Sequence, residues 1–249
     1  MLRGKKVLGN VGVGVTCPFF CEANDGNIYI VKTNKKNIPA QILISEFLGK
    51  FIGERLELIF PHSDLIDISQ LKMNESFFSL QFASQYIPYV EYLNHDHFKK
   101  AINIKEMAGV ILFDHIFHNP DRIMNRKNLL FSHLGHRIYA IDNSHLFKCS
   151  HWNNEVLKKL TKQVSVYQNH LYGVLLRNFL TKEDFYPYIN RIKTISKNEI
   201  LSIISQIPDE WEKGDFDLNY LIDFIITRFD NIEKIAEAIL PKTKEEQLI

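Results

Sequence analysis

Cysteine is scarce in this chain: Cys17, Cys21 and Cys149 are odd in number and follow no framework spacing. That excludes a disulfide scaffold of the secreted kind and suits reduced thiols in the cytoplasm. Cys17 and Cys21 also lack the second pair that would complete a four-ligand metal site. Net charge is just as scarce, since 30 Lys and Arg against 29 Asp and Glu leave +1. No global field therefore calls for nucleic acid or an anionic membrane. Aromatic residues make up 12% of the chain but fall at core spacings, not alternating with basic residues as a nucleic-acid surface requires. No apolar run approaches the length of a membrane span, and the basic start MLRGKKVLGNVG lacks the apolar centre of a signal peptide. Internal repeats and low-complexity linkers are missing too. What these absences leave is a soluble, cytoplasmic protein whose function resides in a local site.

With 249 residues, 45% of them hydrophobic, the chain can bury the core of one large domain or two lobes. The first third reads as strands around one helix. In PFFCEANDGNIYIVKT, residues 18–33, Asn24-Asp25-Gly26 separates two stretches of aromatic and β-branched residues, which predicts a hairpin. Ile28, Ile30 and Lys32 share one face of its second strand, so Lys32 either snorkels at a strand end or points into a cleft. Pro39 opens a helix to about Gly53, with Ile42, Glu46, Gly49 and Gly53 along one face. Strands are expected around 54–66 and 76–87. Beyond residue 88 the pattern turns helical. One helix carries Ile104, Met107, Ala108, Ile111 and His115 on a single face and ends before Asn119-Pro120. Two short strands around Gly135 and a series of amphipathic helices over 152–240 complete the chain. The expected class is α+β: a β-rich N-terminal lobe, 1–88, and a helical C-terminal lobe, 89–249.

Phosphoryl transfer from ATP needs a backbone cover over the phosphates, a lysine on them, a carboxylate for that lysine, a base, and magnesium ligands. Candidates for all of them occur in that order. Gly9, Gly12 and Gly14, followed by Thr16, precede the hairpin and can bring backbone N–H groups to phosphates, though a plain glycine-rich turn reads the same way. Lys32 and Glu46 follow. In HNPDRIMNRKNLLF, a loop carrying Asp121 ends in Asn128; Asp121 suits a base and Asn128 an amide ligand, while capping of a turn is the ordinary use of both types. Asp142 stands fourteen positions after Asn128, at the end of the second short strand. Its carboxylate offers the hard oxygen that magnesium prefers, and a hairpin between the two would aim amide and carboxylate at one point.

The segments NPDR and IDNSHLF, with DGNIYIVK, SEFLGKFIG and FSLQFASQYIP before them, resemble the HipA-like kinases and, more distantly, the phosphoinositide kinases, over roughly residues 5–145. The resemblance implies a bilobal protein-kinase-like fold and an ATP- and magnesium-dependent kinase with a protein Ser/Thr acceptor. It implies Lys32 on the phosphates paired with Glu46, Asp121 as base, and Asn128 and Asp142 on magnesium. It also brings to mind an antitoxin-like partner, for which the near-neutral charge gives no sign.

The chain departs from the pattern in places. HipA and conventional protein kinases put five positions between base and metal asparagine, whereas Asp121 to Asn128 is seven, which leaves Asn125 as a rival ligand. Ile123 stands where the lipid kinases have histidine, and no DFG or APE follows Asp142. Two other activities compete. A lipid or small-molecule phosphotransferase is disfavoured by NSHLFKCSHWNNE, which is not notably basic. A non-catalytic pseudokinase is supported by the lengthened loop. Three further features have plain readings: His115 as a hydrogen-bonded core residue, His118 as a brace for the loop, and Lys158, Lys159 and Lys162 as a solvated helix face.

Overall fold

The computed structural model describes residues 1–12, 17–34, 40–73, 77–124, 126–166, 170–211 and 216–244. Five strands, β1 (Leu2–Asn10), β2 (Phe19–Ala23), β3 (Ile28–Lys32), β4 (Ser63–Asp67) and β5 (Leu80–Gln85), close into a barrel in the order β1-β2-β3-β5-β4. All pairs are antiparallel except β1 with β4, where Leu2 lies opposite Ile66 in parallel. Closure leaves no strand edge to protect. Asn24-Asp25-Gly26 forms the β2–β3 turn with Gly26 at φ 83°, a conformation glycine adopts at no steric cost. Phe19, Cys21, Tyr29, Val31, Ile66 and Ala83 fill the interior. The two-residue period of β3 then forces Ile28, Ile30 and Lys32 to the outside of the barrel.

Helix α1 (Gln41–Leu56) packs against β4 and β5. It runs three residues past Gly53, into the stretch expected to be strand. Ile52 and Leu56 are one helical turn apart and both buried, which outweighs the strand-like alternation of ERLELIF. Glu57 ends it in the left-handed conformation, φ 56°, with its N–H on the carbonyls of Glu54 and Gly53. The two strands that follow, β4 and β5, are shorter than the 54–66 and 76–87 expected from sequence. Pro39, expected to open α1, lies outside the described residues.

After Gln85 the chain leaves the barrel. β6 (Val90–Tyr92) enters a second sheet, order β6-β7-β8, with β7 (Leu129–Ser132) and β8 (Arg137–Ala140). Between them come α2 (His95–Phe98), α3 (Met107–Ile116) and α4 (Pro120–Met124). The single apolar face expected for α3 is a misreading, because every residue from Met107 to Ile116 is buried and Ile104 belongs to a separate 3₁₀ turn. A helix apolar all round is a helix surrounded. The remaining helices are α5 (Asn154–Thr161), α6 (His170–Asn178), α7 (Tyr186–Thr194), α8 (Lys197–Ile204), α9 (Leu218–Asp230) and α10 (Ile232–Ile239). One core runs from Leu43, Phe47 and Ile52 of α1 through α3 to Ile235 and Ile239 of α10. The helical part also clasps the barrel: Glu210 accepts the backbone N–H of Ser79 and Leu80, and Trp211 Nε1 donates to the Leu80 carbonyl at 3.0 Å. None of the described helices is long and apolar enough to cross a membrane.

Candidate active site

The outward face of β3 determines where Lys32 goes. Its ammonium meets the carboxylates of two residues far away in sequence, Glu46 of α1 and Asp142 just past β8, the second at 2.9 Å. Glu46 is 2% exposed, and the same Oε1 that receives Lys32 also accepts the Asn143 backbone N–H at 3.0 Å. Burial opposes the charge on Lys32, but Asp142 and Glu46 outweigh it and hold the ammonium above its ordinary value. For Asp142 burial is again opposed, here by Lys32 and by Ser144, and the carboxyl is held well below the usual carboxylate range. Burial pushes Glu46 the other way, upward, against the pull of Lys32. Asp142 is thus the more firmly ionised of the two carboxylates.

Asp121 and Asn128 come from the other side. Asp121 does not sit in a loop as expected. Pro120 at the first position fixes φ for a helical turn, and Asp121 belongs to α4. The helix and a 3₁₀ turn over Arg126–Asn128 take up the long spacing, so that Asn128 Nδ2 reaches Asp121 Oδ2 at 2.6 Å. The β7–β8 register does the rest. Leu129 pairs with Ala140, and the Ile141 N–H donates to the Asn128 carbonyl at 3.0 Å, which sets Asn128 beside the residue preceding Asp142. The rival Asn125 lies outside the described residues, as do Gly14 and Thr16. Gly12 is described: it lies on the β1–β2 connection at φ 80°, with no atom of the described residues within 4 Å of where a Cβ would stand.

The residues can accommodate a magnesium ion shared with phosphates. Lys32 and Ser144 both use Oδ1 of Asp142, and Oδ2 has no partner among the described residues. Asn128 employs its amide nitrogen on Asp121, which leaves the amide oxygen for a cation. No described group of three or more His, Cys, Asp or Glu side chains is arranged to hold a metal alone. One carboxylate and one amide suit magnesium, which draws its remaining ligands from phosphate and water.

Sequence reasoning missed the support beneath this loop. Arg122, fully buried, pairs through one nitrogen with Asp114 of α3. Its other nitrogens donate to the carbonyls of Asp142 at 3.1 Å and Ile141 at 3.4 Å, and to Asn143 Oδ1 at 2.5 Å. Asp114 also accepts the Tyr172 hydroxyl at 2.5 Å and the Asn119 amide at 3.2 Å. Burial pushes the Asp114 carboxyl up to about 6, although Arg122, Tyr172 and Asn119 all work to lower it. The glycines of α1 complete the fit. A Cβ at Gly49 would fall on the Asn143 side chain, and one at Gly53 on the Phe60 ring, so α1 is flat where the loop lies against Gly49 and where Phe60 lies against Gly53. A signal for this existed in the spacing of those glycines, but none for the Arg122 partners, which are joined only in space.

The histidines at the end of α3, His115 inside it and His118 just beyond, are structural. His115 Nδ1 bonds the Ile111 carbonyl at 2.6 Å, and His118 Nε2 bonds the Leu160 carbonyl at 3.1 Å. Burial lowers their titration to about 4 and about 3, so both stay neutral near neutral pH. Cys21 is buried inside the barrel and Cys17 exposed, with no metal cluster among the described residues. Lys158 lies over the Tyr220 ring, 4.4 Å from its centroid. A surface hollow of about 560 Å³ lies away from Lys32, lined in part by Glu57, Lys105, Asp184 and Arg191. Four of its charges are paired with each other, Lys105 with Asp184 and Arg191 with Glu57.

A β-rich N-terminal part and a helical C-terminal part meet at the Lys–Glu–Asp cluster, an arrangement similar to that of a solved kinase. The solved structure of the Helicobacter pylori proinflammatory kinase CtkA matches with TM-score 0.56 at 14% identity, over 97% of this chain and 96% of that one. The model of the HipA-like kinase family matches residues 5–237, and the chain belongs to that family. The open conformation of CtTel1 aligns with 95% of this chain and 11% of its own, at 12% identity and TM-score 0.30, too distant to carry an argument. No curated protein matches the chain.

Proposed function

We propose that the protein is an ATP- and magnesium-dependent kinase that transfers the γ-phosphoryl group to a hydroxyl, with a protein serine or threonine as acceptor. Membership of the HipA-like kinases implies phosphoryl transfer, and the observation that carries the finer reading is Lys32 between Glu46 and Asp142. In this reading Lys32 binds the nucleotide phosphates and Glu46 holds it in place, with Gly12, Gly14 and Thr16 in the covering loop. Asn128 and Asp142 would hold magnesium, which would supply positive charge to neutralise what develops on the phosphate oxygens. Asp121 accepts the acceptor's proton. The acceptor oxygen bonds to the γ-phosphorus as the bond to the β,γ-bridging oxygen breaks, and that electron pair leaves on ADP. Ionised Asp142 and the charge-assisted pairs around it favour catalysis by position and electrostatics.

Purified protein with Mg²⁺ and γ-labelled ATP tests this. Wild type should label itself or a protein substrate, whereas Asp121→Asn and Asp142→Asn should not. Equal labelling by all three removes the catalytic assignment. Nucleotide binding without labelling by the wild type establishes the pseudokinase reading, for which the seven-residue spacing from Asp121 to Asn128 is the supporting observation.

A further inference from the structure

The two oxygens of Asp142 are treated unequally. Oδ1 accepts three donors: Lys32 Nζ at 2.9 Å, the Ser144 backbone N–H at 3.1 Å and the Ser144 hydroxyl at 2.5 Å. Oδ2 accepts from none of the described residues, and the side chain keeps 32% of its surface exposed. The spare acceptor capacity of this carboxylate is therefore on Oδ2.

The proton on Ser144 Oγ can be assigned. An ionised carboxylate has none to give, so across 2.5 Å the hydroxyl donates to Asp142. Only lone pairs remain on Oγ toward His145 Nδ1 at 3.0 Å, and the ring N–H donates to them. Ser144 is itself buried, which limits the competition of water for its hydroxyl. Of the three donors on Oδ1, Lys32 is the one that bound phosphates would draw away. The two from Ser144 belong to the metal segment, whose backbone Arg122 holds through the Asp142 carbonyl at 3.1 Å.

Whether a carboxylate meets a cation through one oxygen or two bears on which cation it selects. Calcium accepts bidentate carboxylates in a flexible shell of oxygens, whereas magnesium demands a near-ideal octahedron. We propose that Ser144 is a positioning residue: its hydroxyl and N–H keep Oδ1 of Asp142 occupied, so that the carboxylate offers a cation Oδ2 alone, which selects Mg²⁺ over Ca²⁺. The inference rests on the magnesium site of the reading above. Ser144 acts through Asp142 and takes no part in the transfer of the phosphoryl group or of the proton.

Metal binding tests this without turnover. Mn²⁺ held by the protein–ADP complex is followed by its electron paramagnetic resonance signal. The Mg²⁺ and Ca²⁺ concentrations that displace it are compared in wild type, Ser144→Ala, Ser144→Cys and Ser144→Thr. Wild type should need less Mg²⁺ than Ca²⁺. In Ser144→Ala the ratio of the two concentrations should shift toward Ca²⁺ by about tenfold, the lower worth of a hydrogen bond to a charged group. Ser144→Cys, close in size but only a weak donor, should shift alike, whereas Ser144→Thr, which keeps the hydroxyl, should stay within about threefold. A shift in all three variants, a shift in none, or an equal weakening of both cations overturns the positioning role; the last is what a merely structural serine gives. Thermal unfolding of each variant identifies a folding defect, and Ser144→Cys carries the test if the alanine variant unfolds. A wild type that retains no Mn²⁺ with ADP removes the magnesium site, and the role of Ser144 with it. One that binds Mn²⁺ but labels no protein removes the kinase reading and leaves the cation selection standing.

Discussion

Two charged clusters flank the Asp142–Asn143 segment, built from the same kinds of side chain but finished differently. On one side Lys32 bridges Glu46 and Asp142, and an oxygen of Asp142 remains without a partner among the described residues. On the other side Arg122 directs its nitrogens to Asp114, Ile141, Asp142 and Asn143, and Tyr172 and Asn119 saturate Asp114 further. Only the Asn119 Oδ1 is left over there, buried with no partner among the described residues. The difference separates a cluster that can exchange a partner for a ligand from one that cannot. A buried pair whose members are all satisfied holds geometry; one with spare lone pairs at its rim can do chemistry.

The contrast can be broken most strongly at Arg122. Arg122→Ala leaves Asp114 buried without its cation, and urea unfolding should show a loss of about 3–5 kcal/mol. A loss below about 1 kcal/mol would mean that the sealed cluster holds nothing. Lys32→Met acts on the open cluster and should invert the balance. Phosphoryl transfer should drop about 10²–10³-fold, the usual cost of removing one preorganised electrostatic contact, with a smaller stability loss than Arg122→Ala gives. Equal stability losses at the two positions would erase the distinction.

Acid sharpens the comparison on the sealed side. His115 and His118 titrate at about 4 and about 3 in the fold, below the ordinary histidine range near 6.5. The unfolded chain therefore binds their protons first as pH falls. Their contribution is complete above pH ~6.5 and is lost toward the folded values, at about 1.4 kcal/mol per pH unit for each histidine. Asp114, raised to about 6, works in the opposite sense, because the fold takes up that proton before the unfolded chain does. The urea midpoint should fall between pH 7 and pH 5, and fall more steeply in Asp114→Asn. The smallest effect belongs to the glycine between the clusters. Gly49→Ala puts a methyl group where Asn143 lies and should cost about 1–3 kcal/mol by overpacking, measured by thermal unfolding; an unchanged midpoint would show that Asn143 can move aside freely.

How much of this was legible beforehand varies with distance along the chain. The β2–β3 hairpin, the face of Lys32 and the stripe of Glu46, Gly49 and Gly53 follow from local periodicity, which one strand or one helix displays by itself. Local reading failed where tertiary burial overrode it. α1 continues through residues 54–56 because Leu56 finds the core, and α3 shows no polar face because the surrounding elements cover every side. The seven-residue spacing between Asp121 and Asn128 looked like a displaced ligand. The coiling of α4 and the 3₁₀ turn brings the two side chains to 2.6 Å, which a count of positions does not reveal.

By itself the sequence determined the mixed class of the fold, the residue types available for phosphoryl transfer, and its resemblance to the HipA-like kinases, because these depend on composition, on periods of two and 3.6, and on short motifs. Only the tertiary structure decided which of those residues meet. Lys32 reaches Asp142 across 110 positions of sequence, and Arg122 binds beneath the segment that carries it. The physical reason is that charge pairing and hydrogen bonding act over a few ångströms, and the packing of barrel, buried helix and hairpin sets which groups come that close.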